Sequence, residues 1–151
     1  MPTPSETFIE NRHRIQPNQT NNYDTAHGGI VMKLMDETGA MSAMRFAGSP
    51  CVTAAVDGLD FKRPIPRGDI AVVTAWVYDA GRTSVGVRLK AEREDPLTGE
   101  CDVTSESSFT FVAIDETGQP VEVPEMTIES DRDEMLQRRG LNADSANEDL
   151  S

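Results

Sequence analysis

Residues 28–46, GGIVMKLMDETGAMSAMRF, contain no proline and read as one helix of ~18 residues. The stop is AGSP: Gly48 breaks the helix at its C-terminal end, and Pro50 cannot extend it. After it the period changes. Residues 51–61 read as a strand ending in the proline-bounded turn RPIPRGD, and 69–81 form a long β run. In RTSVGVRLKAERED, Val85, Val87 and Leu89 alternate with Gly86, Arg88 and Lys90, as in a half-buried strand. PLTGE is a turn, CDVTSESSFTFVAID a further strand, and ETGQP closes it. A shorter strand over 6–15 and an Asn/Asp/Thr-rich loop over 16–25 precede the helix.

One long helix and an antiparallel sheet of about five strands define an α+β fold. A single helix covers one face of such a sheet. The other face and the sheet edges then require a partner, and a dimer is the simplest one. From Glu125 onward large apolar residues thin out. The expected division is a core domain over 6–124 and an acidic C-terminal tail over 125–151, with a helical turn or two at 131–139 and disorder over the last ~12 residues.

At 151 residues the chain holds one core. Twenty-six acidic residues face 14 basic ones, a net charge of −12, which repels nucleic acid and anionic membranes. Only Lys33, Lys62 and Lys90 are lysines, and this acidic, lysine-poor composition matches proteins that work in high salt, or else an ordinary acidic bacterial protein with an acidic tail. No apolar run nears the ~20 residues of a membrane span, and residues 1–15 have no basic-then-apolar leader. The expectation is a cytoplasmic protein. Cys51 and Cys101 have neither metal nor redox spacing and read as reduced structural thiols, and His13 and His27 lack the neighbours of a zinc site.

The chemistry concentrates in the helix. At 100° per residue, Ile30, Leu34, Met41 and Arg45 share one broad side, with Val31, Met35 and Thr38 adjacent. Asp36 stacks with Met32, Gly29, Gly39, Ala40 and Ala43, a row of small and apolar residues. By pattern alone it is either a solvated charge beside Glu37 or a carboxylate the fold places deliberately. Gly28 and Gly29 open the helix, where free N–H groups can hold a carbonyl oxygen that gains charge; alternatively they only permit a tight connection. No serine sits in a nucleophile elbow, so any catalysis rests on a carboxylate and water.

Asn21 followed by HGGIVMKLMDETGA, then VTAAVDGLDFKRPIPRGD, GRTSVGVRLKAE and FTFVAIDETGQPVEVP, resembles the hotdog-fold acyl-CoA thioesterases, over about residues 15–124. The resemblance implies a long central helix wrapped by the sheet, and hydrolysis of acyl-CoA to a free acid and coenzyme A. Asp36 takes the place of the family's general base or nucleophile. Asn21 takes the place of an asparagine supplied by the other subunit, with Asn18 and Asn22 as alternatives. Gly28 and Gly29 match the oxyanion donors, and His27 lines the pocket. Arg82, Thr83 and Ser84 would lie near the pantetheine or nucleotide, and Lys62 and Arg63 near phosphate. No metal and no cofactor is implied beyond coenzyme A as part of substrate and product. The implied assembly is a homodimer at minimum, extended to a homohexamer as a trimer of dimers. Two other functions compete. A dehydratase or hydratase pairs an aspartate with a histidine on this helix, and none follows Asp36. A non-catalytic acyl-CoA sensor loses the carboxylate.

Overall fold

The structure, a computed structural model, describes residues 2–150, with side chains described to Ala143. Thr3 opens the first element: its hydroxyl accepts the Glu6 N–H, and the Glu6 carboxylate accepts the Thr3 N–H, both at 3.3 Å. This reciprocal cap, with Pro4 at the first helical position, folds Pro4–Thr7 into a helical turn, α1. Strand β1 therefore begins at Ile9 rather than at residue 6, and ends at Arg14. A 3-10 turn spans Pro17–Gln19. Helix α2 runs Gly28–Ala47, where Gly48 adopts a left-handed φ of 66° and returns its N–H to the Met44 carbonyl. Strands β2 (Cys51–Asp57), β3 (Ile70–Ala80), β4 (Ser84–Glu94) and β5 (Cys101–Ala113) precede the last helix, α3 (Asp131–Leu150).

The strands form one antiparallel sheet in the order β1-β3-β4-β5-β2. Helix α2 lies across it. Val31, Met35, Thr38, Ser42 and Phe46, three or four residues apart, bury themselves against Val77, Val87, Leu89, Phe109 and Phe111. Each large apolar side chain so buried contributes roughly 1.5–3 kcal/mol. At Gly39 the helix comes closest: a Cβ there would stand 3.1 Å from the Leu89 methyl and the Phe111 ring. The buried hydroxyls are satisfied, Thr38 by the Leu34 carbonyl (2.7 Å) and Ser42 by that of Thr7 (2.8 Å).

Met41 and Arg45 are exposed, while Gly39 and Ala43 face the sheet. The small residues, not Met41, fit the close helix–sheet approach. In the tail, where a helical turn or two was expected over 131–139, helix α3 runs Asp131–Leu150, with Ser151 outside the described residues.

Helix α3 packs on the sheet face opposite α2. Leu136 is buried against Trp76 and Tyr78, and its carbonyl accepts the Trp76 indole N–H at 2.9 Å. Arg139 lies over the Trp76 ring and Arg132 over Phe8. Gly140 meets the Tyr78 ring so closely that a Cβ would stand 2.1 Å from it. The chain therefore covers part of that face itself, where a partner was the expected cover. The β2 edge stays open: Val52, Thr53, Ala54 and Ala55 are exposed.

Candidate active site

The α2 N-terminus is built to leave donors free. His27 occupies the cap position with no side-chain hydrogen bond to the helix, unlike the Ser, Thr, Asp or Asn usual there. Its own N–H goes to the Gln19 carbonyl (2.9 Å). Gly28 and Gly29 follow at the first two helical positions, which no intrahelical carbonyl reaches. The ring of Phe61 lies beside Gly28, 3.6 Å from where its Cβ would be.

This end of α2 borders a groove of about 370 Å³ that gathers Asn21, Gly28, Phe61, Lys62, Arg63 and Thr104. The Asn21 carbonyl oxygen accepts the N–H groups of Tyr23 (2.9 Å) and Thr25 (3.3 Å) and the Thr25 hydroxyl (3.2 Å). The side chain thus shapes the loop with its oxygen and keeps its amide nitrogen for other partners. Lys62 is tethered by its N–H to the Thr104 carbonyl (2.9 Å). Arg63 stands 3.4 Å from Asp102.

Asp36 is half-buried on the flank of α2 that faces β2. Its carboxylate accepts a hydrogen bond from the Thr53 hydroxyl. A β-bulge makes that pairing possible. Thr53 stands opposite Phe111 and Val56 opposite Phe109, with Ala54 left between register pairs. Opposed residues share a face, so the extra residue turns both Thr53 and Val56 toward the helix, where strict alternation would send one away. Thr53 was not among the predicted residues; the bulge that aims it has no signature in CVTAAVD.

The predicted residues do not all meet in one chain. Eight residues of helix put Asp36 about 12 Å along the axis from Gly28. Arg82, Thr83 and Ser84 lie at the far end of the sheet, where the Thr83 carbonyl accepts the Ala113 N–H (3.0 Å) and Arg82 is 3.8 Å from Glu122. From Ser84 to the Ala91 region beside Thr104 is roughly 24 Å of strand. Burial pushes the Cys51 thiol up; Cys101, partly desolvated and near Glu92 and Glu94, shifts up too, so neither is an activated nucleophile. Among the described residues no group of three or more His, Cys, Asp or Glu could hold a metal ion.

The model of the thioesterase superfamily matches residues 23–100. The chain belongs to that superfamily. It is 35% identical over 131 residues to the uncharacterized acyl-CoA thioester hydrolase YkhA of Bacillus subtilis, spanning 87% of this chain and 76% of that one. Among solved structures, a hexameric acyl-CoA thioesterase superposes with a TM-score of 0.85 at 31% identity, covering 98% of this chain and 95% of the other. The acyl-CoA hydrolase of Staphylococcus aureus, solved with butyryl coenzyme A and coenzyme A, superposes at 0.80 with 32% identity, over 97% and 94% of the two chains. The expected hotdog fold is therefore the observed one. The Staphylococcus hydrolase has also been solved as variants replacing an asparagine, an aspartate or a threonine by alanine. Those positions follow one another at 15 and 17 residues, the spacings of Asn21, Asp36 and Thr53 in this superfamily member.

Proposed function

We propose that this protein hydrolyses acyl-CoA thioesters to a free acid and coenzyme A, with Asp36 as general base. The observation that carries the assignment is the Asp36–Thr53 pair on the open flank of α2. The Thr53 hydroxyl occupies Oδ1 and leaves Oδ2 to take a proton from water. The hydroxide equivalent adds to the thioester carbonyl; the tetrahedral oxyanion collapses, the C–S bond breaks, and the thiolate leaves and takes up a proton. The Gly28 and Gly29 N–H groups receive the oxyanion, with no side chain in the way.

One carbonyl carbon cannot touch groups about 12 Å apart on the same helix. A two-fold pairing along the open β2 edge, with the two α2 helices antiparallel, brings Asp36 of one protomer to the Asn21–Gly28 groove of the other. The amide of Asn21 then orients water or substrate, and His27 lines the pocket. The exposed Met32 and Met44 on α2 and Val52 on β2 support this pairing, because they leave apolar surface for a partner. The same antiparallel arrangement carries Arg82, Thr83 and Ser84 toward a partner's groove, where Lys62 and Arg63 take the phosphates. Three such dimers make the proposed hexamer.

No cofactor enters beyond the coenzyme A of substrate and product. Cytoplasmic location belongs to the same reading, and recovery from a secreted fraction would count against it. The test is thiol release from a panel of acyl-CoAs. Wild-type inactivity on every chain length would sink the assignment, and unchanged activity in Asp36→Ala would sink the site.

A further inference from the structure

Four charged side chains form a row beside the groove. Arg63 is 3.4 Å from one oxygen of Asp102; the other is 3.3 Å from Arg93, and Arg93 in turn donates to Asp69 at 2.6 Å. Arg63 lines the groove, while Asp102 sits behind it at the start of β5. The neighbouring cation differs. Lys33 and Lys90 pair with Glu37 and Glu92, whereas Lys62 is in no ion pair among the described residues. The groove thus presents one uncommitted ammonium and one guanidinium already held by a carboxylate, on a chain of net charge −12.

We propose that Asp102 is a specificity-determining counter-ion: it holds Arg63 at the groove rim and yields it to the phosphates of the substrate's carrier. The proposal rests on the reading that Lys62 and Arg63 meet those phosphates. A phosphate reaching Arg63 must displace or approach the Asp102 carboxylate, and like charges that close oppose binding. Arg93 and Asp69 keep Asp102 in place, so the opposition persists once Arg63 turns away. A carrier with several phosphates overcomes it; a carrier with none has nothing to offer Arg63. The counter-ion thus sets how strongly a phosphorylated carrier is preferred, holding that preference down without touching the thioester.

The experiment compares one acyl group carried on coenzyme A and on pantetheine, in wild type, Asp102→Asn, Arg63→Gln and the double variant. Asp102→Asn lowers KM for acyl-CoA about 1.5- to fivefold, the range of an exposed pair, and the ratio of that KM to the KM for the pantetheine thioester falls with it. In the Arg63→Gln background the same substitution has no further effect on that ratio. Equal shifts for both carriers, or full additivity in the double variant, overturn the proposal. Failure of the underlying reading looks different: Arg63→Gln and Lys62→Gln both leave KM for acyl-CoA where it was. Circular dichroism on Asp102→Asn checks that the fold is kept, as expected for exposed ion pairs.

Discussion

The Thr53 hydroxyl donates to the Asp36 carboxylate across the seam between β2 and α2. One residue comes from the middle of the central helix and the other from an edge strand 17 positions later. The bond ties the base to the part of the sheet that the proposed dimer extends. It occupies one carboxylate oxygen and fixes the direction in which the other points.

Removing the base costs more than removing its support. Asp36→Asn lowers kcat about 10²- to 10⁴-fold, the usual contribution of a positioned general base. Thr53→Val lowers it about tenfold, and Thr53→Ser, which keeps the hydroxyl, restores most of it. A thiol-release assay reads both; equal activity in Thr53→Val and Thr53→Ser would show that the hydroxyl is not used.

If the site is shared between protomers, two inactive variants complement each other. Asp36→Asn and Asn21→Ala are each inactive alone. Co-expressed, they assemble heterodimers with one intact site of two, giving about a quarter of wild-type activity for random pairing. No recovery in a confirmed mixed dimer would place both residues in one protomer's site.

The α1–α3 junction is acid-sensitive. Asp133 is 2% exposed and accepts the N–H groups of Ser5 (2.9 Å) and Glu129 (3.0 Å). Burial pushes its carboxyl up, but contacts with Ser5, Glu129 and Ser130 outweigh that and hold it at about 2. The Ser5 hydroxyl makes no hydrogen bond of ordinary geometry, so the N–H groups of Ser5 and Glu129, with the Ser130 hydroxyl beside them, carry the effect. The folded pKa lies below the ordinary aspartate value of 3.8. Its stabilisation, about 2 kcal/mol, is therefore complete above that value and lost as pH falls through 2. Trp76, the chain's single tryptophan, reports on α3 through its bond to Leu136. Its emission shifts red between pH 4 and 2, and in Asp133→Ala the shift is already present at pH 7.

Gly140 decides whether α3 seats. Gly140→Ala places a methyl inside the Tyr78 ring, which the backbone cannot absorb without moving the helix. The expected cost is roughly 1–3 kcal/mol, read as a fall in Tm and an exposed Trp76. Since alanine is the better helix former, a rise in Tm would mean that α3 does not pack there.

The charge composition predicts stabilisation by salt. At −12, self-repulsion opposes the compact state at low ionic strength and is screened above it. Tm rises between low and molar KCl; a flat or falling series would remove the high-salt reading.

Much of this molecule was legible before folding was considered. Gly48 and Pro50 bounded the helix to within a residue of its observed end, and the alternation of Val85, Val87 and Leu89 placed β4 correctly. Local chemistry sufficed there, because caps, breakers and periodicity act within a few residues. The Asp36 row was legible as unusual, and the glycines at its start as available donors. The orientation of α2 was not: Met41 and Arg45 share one side with Ile30 and Leu34 yet are exposed, since the close approach at Gly39 rather than hydrophobicity sets the contact face.

What the sequence by itself determined is the long helix α2 with the antiparallel strands after it, and the carboxylate and glycines that helix displays. Tertiary structure alone decided what those groups touch. The bulge at Ala54 turns Thr53 to Asp36, the groove draws Asn21, Lys62 and Arg63 to the glycine end, and α3 covers a sheet face expected to need a partner. Each depends on residues far apart in the chain, whose meeting follows from strand register and packing, and neither is encoded in any single segment.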